Sequence, residues 1–564
     1  MQVRRIGTLT RAYRHFNRYT HILAILFKYG FGEFISRLPI SQIVGSSLQL
    51  FSKEDVGMLK KLPRAERIRR MVEELGPTFI KLAQILSTRP DLIPLDLAEE
   101  LSKLQDRVSP FPFSEARKII EDELGTSLEE RFEEFNEVPL AAASIGQVHR
   151  ARLRGGEEVV VKVQRPGIRK IVEVDLEILF HLADLIERHF EEWGEQRPKR
   201  IVEEFSRILG KELNYGVEAS QAERFASQFA GNPHIFVPRV YREVSTDHVL
   251  TMQYVDGIKI SEIQALEGRG YDRKLIALRG AELIFAQVFR HGFFHADPHP
   301  GNIFILPDNV ICYIDYGMMG SVPRRSRENF ADLFSAYYDR DEVKITQILL
   351  KIVEWDREPD RRALERDLFD FLGLHAYKPI KEQRVAALLK ELLQLISRHQ
   401  LRIPPGILLM AKAMAVAEGV GLLMDPDFEM TEKAGPFILR LKLERLGPRR
   451  ILQDFFHTGG DLLRLVRELP EELEGILVKI RQGEIKIGFE HRGLENFILQ
   501  LDRSSNRLSF SLIIAALIIG SSLILHANIG PFVFGFPVLG VLGFSTAGVI
   551  GIGLAISILR SGKF

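Results

Sequence analysis

Three oxygen-bearing side chains carry the chemistry of this chain. They lie in Phe293–Leu306, FFHADPHPGNIFIL, and in the IDYG of Ile314–Gly317. Asn302 follows Asp297 by five residues, and Asp315 follows Asn302 by thirteen. Mg²⁺ is a hard ion that takes oxygen donors, which the Asn302 amide and the Asp315 carboxylate supply. Asp297 is left to orient a hydroxyl or water, or to accept its proton. Such a set suits a metal–phosphate substrate. Two other readings fit the same letters. Pro298, Pro300 and Gly301 favour a turn-rich loop between a helix and a strand. His295 and His299 flank an acid, as in a transition-metal site. The apolar, strand-like run Val310–Ile314 leading into Asp315 favours the phosphate–metal reading, and no second His/Asp cluster at ligand spacing supports a metal hydrolase.

These groups need elements far apart in the chain to position them. The order acid, amide, acid is similar to the H-R-D-x-x-x-x-N and D-F-G positions of protein kinases, whose sites also need a loop over the phosphates and a lysine held by an acid. Ala141–Val148, AAASIGQV, overlays the pattern G-x-G-x-x-G-x-V at Gly146 and Val148, with Ala141 and Ala143 where glycine is expected. Lys162 lies fourteen residues after Val148, in VVVKVQRPG. Ala141, Ala142, Ala143, Ser144, Ile145, Gly146, Gln147 and Val148 are therefore expected to line the nucleotide with Lys162. Alanine denies the loop the positive φ angles open to glycine and keeps its backbone further from the phosphates. A stiffer loop with altered nucleotide preference and poor transfer to peptides is expected. The Ser144 hydroxyl would replace some of the lost contact.

The chain has 564 residues, enough for two or three domains. Its 76 Lys and Arg balance 75 Asp and Glu, so charge gives no argument for nucleic acid. The one cysteine, Cys312, excludes an intramolecular disulfide framework and reads as a buried, inert thiol. Leu508–Leu525 and Phe532–Leu559 are uncharged runs of 18 and 28 residues. A helix of roughly 20 apolar residues spans a bilayer. Arg503 and Arg507 precede the first run, and Arg560 and Lys563 follow the second. The positive-inside rule then gives a hairpin with both outer ends in the cytoplasm. Residues 1–37 carry seven basic side chains and one acid among aromatic and aliphatic residues. They are expected either to lie on an anionic membrane surface or to form a solvated helical face.

The periodicity predicts a helical extension over residues 1–130, a sheet-bearing lobe over 131–255, a helical lobe over 256–440, an amphipathic connector over 441–504 and two transmembrane helices over 505–560. Within the lobes, Ile171–Phe190, Lys199–Phe229 and residues 271–292 read as helices. The fold class is α+β: a two-lobed, protein-kinase-like fold with a helical N-terminal extension and a C-terminal transmembrane hairpin.

Taken together, these residues resemble the UbiB (aarF-type) family of atypical kinases, from about Tyr29 to the C-terminus. The resemblance rests on the alanine-rich loop, Lys162, ELNYGVEA at Glu212–Ala219, HADPHPGN, DYG and EGVGLLMDPDF at Glu418–Phe428. The family's N-terminal K-x-G-Q motif corresponds to KLAQ at Lys81–Gln84, with Ala83 for glycine, and Asn214 stands where an aspartate is usual. The resemblance implies that Lys162 contacts the α/β-phosphates and pairs with Glu218. It implies that Asn302 and Asp315 hold Mg²⁺ with ATP, and that Asp297 acts with Lys162 in catalysis. Glu212 and Asn214 would face Lys81 and Gln84 as regulatory residues, packing the extension where a kinase docks a peptide. Glu212 and Glu218, six residues apart, would lie two turns apart on one helix.

It further implies a phosphotransferase-class, ATPase-like enzyme at the inner membrane, with its kinase-like part in the cytoplasm. There it would support ubiquinone or related isoprenoid quinone biosynthesis. Its partners would be anionic membrane lipids, quinone-precursor lipids and other quinone-biosynthesis enzymes. Alternatives are a small-molecule or lipid phosphotransferase, since HADPHPGN is similar to the H-G-D-x-H-x-x-N of aminoglycoside and choline kinases, and a nucleotide-binding scaffold without catalysis. A peptide-directed kinase fits least.

Overall fold

The computed structural model describes residues 17–32, 62–87, 93–104, 108–189, 198–355, 358–375, 384–445, 494–527, 530–533 and 536–560. The chain divides into two compact units, Met1–Ile451 and Leu452–Phe564.

In the first unit, alternation of apolar residues builds an antiparallel sheet. Its strands are β1 (Phe132–Phe135), β2 (Ala141–Ala142), β3 (Gly146–Leu153) and β4 (Glu158–Gln164). After β5 (Ile235–Phe236), β6 (Val249–Gln253) completes it in the order β1-β3-β4-β6, with β2 on β3. Gly156 turns β3 into β4 at φ 90°, a conformation that favours glycine. Val159, Val161 and Val163 of β4 enter the lobe's core with Ile120, Phe132 and Ala151. The period of two then turns Lys162 to the opposite face. There it is the register partner of Val148 on β3 and Leu250 on β6.

The second sheet runs β5-β10-β9-β7, with β7 (Ile258–Lys259), β9 (Ile303–Leu306) and β10 (Val310–Tyr313). Between β7 and β9 lies β8 (Phe293–His295), which pairs with β11 (Met319–Ser321). Helix Arg273–Phe285 passes into a π turn, Ala286–His291, so the expected single helix over 271–292 changes its hydrogen bonding just before the acid-bearing loop. Such turns occur often at functional sites. The lobe's central helix, Pro405–Met424, buries Met410, Ala413 and Met414 completely. In the EGVGLLMDPDF motif, the Glu418 carboxylate accepts from the amides of Val385 and Ala386 at 2.9 and 3.1 Å, capping helix Val385–Arg398.

The expected helix over Lys199–Phe229 is two helices, Pro198–Glu212 and Tyr215–Gln228. Asn214 is extended between them, and its side chain accepts from the Val217 amide at 3.2 Å. Asparagine is a preferred N-cap, so the residue that departs from the family pattern starts the second helix.

The extension packs as helices at residues 17–28, Arg64–Leu75, Pro77–Ser87 and Leu95–Leu101. Ile22, Ile25, Val72, Phe79 and Ala83 share its core with Ile178 of helix Ile168–His189. The apolar face of residues 17–28 is therefore turned inward, and Lys28 pairs with Glu74 at 2.8 Å. This corrects the membrane-surface expectation for that stretch. Residues 1–16 and 33–37 lie outside the described residues.

In the second unit, helices Leu494–Ala527 and Val538–Arg560 form a hairpin through the short ribbon of β12 (Phe532–Val533) and β13 (Phe536–Pro537). A Cβ added to Gly540 would meet Leu525 at 2.8 Å, so small residues bring the two helices together. Leu512, Leu523, Leu542, Val549 and Ile552 face outward. Among the described residues three helices are long and apolar enough to cross a membrane: Pro405–Met424, Ser505–Ala527 and Val538–Ala555. The first is 56% buried inside its lobe, against 6% and 11% for the others, which fits a core helix and a membrane hairpin respectively. The expected connector 441–504 falls mostly outside the described residues. Its ends complete helices Met430–Arg445 and Leu494–Ala527.

Arg18 fastens the first helix to the extension. Its Nε and one Nη donate to the two carboxylate oxygens of fully buried Asp175 at 2.7 and 3.0 Å, and Nη2 also reaches the Leu75 carbonyl at 2.7 Å. Arg18→Ala should cost about 3 kcal/mol, because it strands a buried carboxylate. Arg18→Ala with Asp175→Asn should recover part of the loss. Thermal unfolding of the full chain in detergent checks this, and equal melting of Arg18→Ala and the parent would contradict it.

Candidate active site

Lys162 Nζ lies 2.8 and 3.0 Å from the two carboxylate oxygens of Glu218 and 4.0 Å from Asp315 Oδ1. The helix break at Asn214 re-aims the second helix, which packs Tyr215 and Ala219 on Leu250 and Met252 and so delivers Glu218 to the face that carries Lys162. Burial alone would lower the Lys162 pKa, but the Asp315 and Glu218 carboxylates outweigh it and raise it. Lys162 in turn holds Asp315 well below the usual carboxylate range, helped by the Gly317 amide, which donates to its Oδ1 at 2.9 Å.

The thirteen-residue separation of Asn302 and Asp315 is the length of a hairpin. β9 and β10 pair Ile303 with Tyr313, and Asp308 and Asn309 turn the chain at φ 62° and 58°. The Ile314 amide then donates to the Asn302 carbonyl at 3.1 Å, closing the segments that carry Asn302 and Asp315 on each other. The Asn302 amide N–H donates to the His299 carbonyl at 2.8 Å, which ties the acid loop to the same hairpin.

His295 and His299 are not a metal pair. Buried His295 donates from Nε2 to the Asp315 carbonyl and accepts the Asp297 amide at Nδ1, 3.2 Å away. His299 Nδ1 accepts the Gly301 amide at 3.1 Å. His295 thus brackets the two acids with both ring nitrogens. Among the described residues no three His, Cys, Asp or Glu side chains are grouped to hold a metal by themselves. An amide and a carboxylate on facing segments suit Mg²⁺ carried in on phosphate, since that ion keeps waters and takes few protein ligands.

The loop residues divide. Ala141 and Ala142 form β2, and the Ala143 amide closes a tight turn onto the Gly146 carbonyl at 2.8 Å. No residue from Ala141 to Val148 has a positive φ. Gly146 is required for space instead: a Cβ there would meet Tyr215 Oη at 2.3 Å and the Val163 carbonyl at 2.5 Å. Arg165, unremarked in the sequence, pins the loop. Its amide donates to the Ile145 carbonyl at 2.7 Å, and its guanidinium reaches the carbonyls of Ser109 and Ala143 at 2.9 and 3.4 Å. Val148 shares the cleft face with Lys162, its register partner. The Gln147 side chain does not; it exchanges hydrogen bonds with the Phe111 backbone at 3.0 and 3.3 Å, so only its main chain faces the loop. Ser144 is fully buried, with no hydrogen-bond partner for Oγ among the described residues, rather than displayed over the cleft.

Of the expected regulatory set, Lys81 meets Glu212 at 3.6 Å, and its charge also lowers Asp315. Gln84 donates instead to the Leu104 carbonyl at 3.4 Å, and Asn214 caps its own helix. The helix end between Glu212 and Glu218 separates these acids, so the one-helix argument for their common side does not hold. Leu82 and Ile85 share an apolar cluster with Ile145 of the loop, which seats the extension against it. On the other side, Lys412 of the central helix lies 3.2 Å from Asp297 Oδ1, a contact with no local trace in the sequence. Cys312 is fully buried in β10, and burial pushes its thiol pKa up.

The profile of the ABC1 atypical kinase-like domain matches residues 103–349, that of the UbiB helical domain matches 370–429, and that of the ABC1/UbiB kinase-like C-terminal domain matches 492–560. A protein named "Probable protein kinase UbiB" from Aeromonas salmonicida is 36% identical over 476 residues, covering 81% of this chain and 85% of its own. The chain belongs to the ABC1/UbiB family of atypical kinase-like proteins. A further member, the chloroplastic "Protein ACTIVITY OF BC1 COMPLEX KINASE 7" of Arabidopsis thaliana, is 38% identical over 430 residues; this chain spans 62% of its length. An uncharacterized Clostridium pasteurianum protein from the hydrogenase 1 5' region matches at 32% over 97% of this chain and 99% of its own. A solved Mycobacterium tuberculosis protein, in complex with erythromycin, is 24% identical and covers 68% of this chain and 97% of its own, with a TM-score of 0.45.

His295 gives the site a pH signature. Burial holds its pKa below the ordinary 6.5, so the fold keeps it neutral while the unfolded chain takes up a proton. Stability is fully present above about pH 6.5 and falls as the pH drops below that value. His149 and His291, also lowered by burial, act in the same direction. The melting temperature should fall between about pH 7.5 and 5.5. His295→Gln should melt lower at the upper pH but with a shallower slope. An unchanged slope would remove His295 from this role.

Proposed function

We propose that this protein is a membrane-anchored, MgATP-binding atypical kinase or ATPase that handles lipid precursors of an isoprenoid quinone. The observation that carries the reading is the Lys162–Glu218 ion pair, with Asp315 4.0 Å from the same ammonium. Magnesium held by Asn302 and Asp315 would supply charge neutralisation to the phosphates. Lys162, fixed by Glu218, binds phosphate oxygens. Asp297 holds the attacking hydroxyl or water and takes its proton. The hairpin 141–148, pinned by Arg165, covers the nucleotide with little freedom, which supports turnover on water or a small lipid hydroxyl. The hairpin of the second unit, with its outward apolar side chains, supports an inner-membrane anchor with two spans, and lipids that stay in the bilayer are the substrates such an anchor suits. Family membership supports the quinone assignment, and other quinone-biosynthesis enzymes are the expected partners.

Calorimetry of the full chain in detergent with MgADP and MgATP tests the nucleotide reading. Asp315→Asn and Lys162→Met should each weaken binding about tenfold or more. No heat from either nucleotide with the parent would overturn it. Ala141→Gly or Ala143→Gly should shift the ratio of ATP to ADP affinity by loosening the loop. Quinone profiles of a deletion strain complemented with the parent or Asp315→Asn test the role. Normal quinone with Asp315→Asn would leave only a scaffold, and labelled γ-phosphate on an extracted lipid would make the protein a lipid phosphotransferase.

A further inference from the structure

The central helix Pro405–Met424 has two charged residues, Lys412 and Glu418. Glu418 is accounted for by the helix it caps. Lys412 sits in the middle of an otherwise apolar helix, and its ammonium reaches Asp297 Oδ1 at 3.2 Å. Transfer of a phosphoryl group needs a cation where negative charge gathers on the terminal phosphate. The acid loop supplies no lysine or arginine: His295–Asn302 contains neither, His295 uses both ring nitrogens in backbone hydrogen bonds, and His299 Nδ1 accepts the Gly301 amide. Lys162 is held by both oxygens of Glu218, and Lys81 meets Glu212 from the extension. Lys412 lies 3.2 Å from its carboxylate, and both side chains keep some solvent access, 28% and 35%. A pair of this kind exchanges partners readily.

We propose that Lys412 is the cation that meets the terminal phosphate of ATP, leaving Asp297 as the nucleotide enters. The inference rests on the nucleotide reading above and adds a residue to it. Reach is not an obstacle. A base lies about 3 Å from the attacking oxygen, which lies about 3–3.5 Å from the phosphorus, and a lysine stem is long and flexible. The oxygen of water or a lipid hydroxyl bonds to the γ-phosphorus as the bond to the β–γ bridging oxygen breaks. ADP leaves with that electron pair, and the attacking oxygen's proton passes to the Asp297 carboxylate. Lys412 serves twice: in the resting protein it keeps Asp297 in place, and in the loaded one it frees that carboxylate to accept the proton.

The role predicts discrimination between nucleotides, since ADP lacks the group that Lys412 serves. Lys412→Met, similar in volume and helix propensity, should bind MgADP within about twofold of the parent, weaken MgATP about tenfold and lower phosphate release by about a hundredfold. Lys412→Arg should keep the ATP preference. Calorimetry with both nucleotides, phosphate release and thermal unfolding are read on the full chain in detergent. Retained MgADP binding shows that the variant is folded. Should Lys412→Met lose its fold, Lys412→Gln, which keeps a polar end, is read in the same way. A folded Lys412 variant with the parent's ATP-to-ADP ratio and turnover would overturn the proposal while leaving the nucleotide reading intact. A parent that takes up neither nucleotide would overturn both.

Discussion

Lys162 and Glu218 place opposite charges where the carboxylate is buried and the ammonium mostly so, and an uncompensated charge there would be costly. The rest of the first unit is arranged around their meeting. β4 must present Lys162 on the face opposite Val159, Val161 and Val163, which the alternation of its sequence does. The helix that carries Glu218 must start where it does, which Asn214 ensures by capping it. Asp315 must then arrive from the other lobe, and the hairpin of β9 and β10 brings it to within 4.0 Å of the same ammonium. One cation thus joins a strand, a helix and a hairpin.

Two more pairs repeat the pattern around it. Lys81 comes from the extension and Glu212 from the helix before the break. Lys412 comes from the central helix and Asp297 from the loop after β8. In each pair the cation and the acid belong to different elements. The cleft is kept close to neutral by contacts that also hold its walls together. A polyanionic ligand would compete for those cations, so its entry and the relative position of the walls would be linked through the same charges.

The parts of this arrangement that were legible in the sequence are those with a local period or a fixed offset. The valines around Lys162 alternate as a buried strand must, and the offset from Asn302 to Asp315 matches a short hairpin. The apolar runs after Leu508 have the length of a bilayer. The parts that were not legible depend on tertiary partners. Gln147 lies in a nucleotide-binding pattern, yet its amide is claimed by the backbone of Phe111, thirty-six residues earlier. The helix break at Asn214 is hidden because the sequences on either side both favour helix, and only a cap distinguishes two helices from one. The basic and apolar residues of 1–37 suggested a membrane surface or a solvated helical face, but the apolar side of residues 17–28 packs into a protein core. Lys412 lies 115 residues beyond Asp297, in a helix whose composition speaks only of burial.

The alanines of the loop fit this picture of a cleft held from several sides. A glycine-rich loop can fold down on phosphates because its backbone is free. Here the turn is tight, none of its φ angles is positive, Arg165 binds its carbonyls and Ile145 rests in a cluster with Leu82 and Ile85 of the extension. Restoring glycine at 141 or 143 would free the backbone without removing these anchors, whereas any substitution at Gly146 meets Tyr215 and the Val163 carbonyl. Flexibility and space are therefore separate properties of this loop, carried by different residues. The extension is bound to the loop through apolar contacts and to the cleft through Lys81.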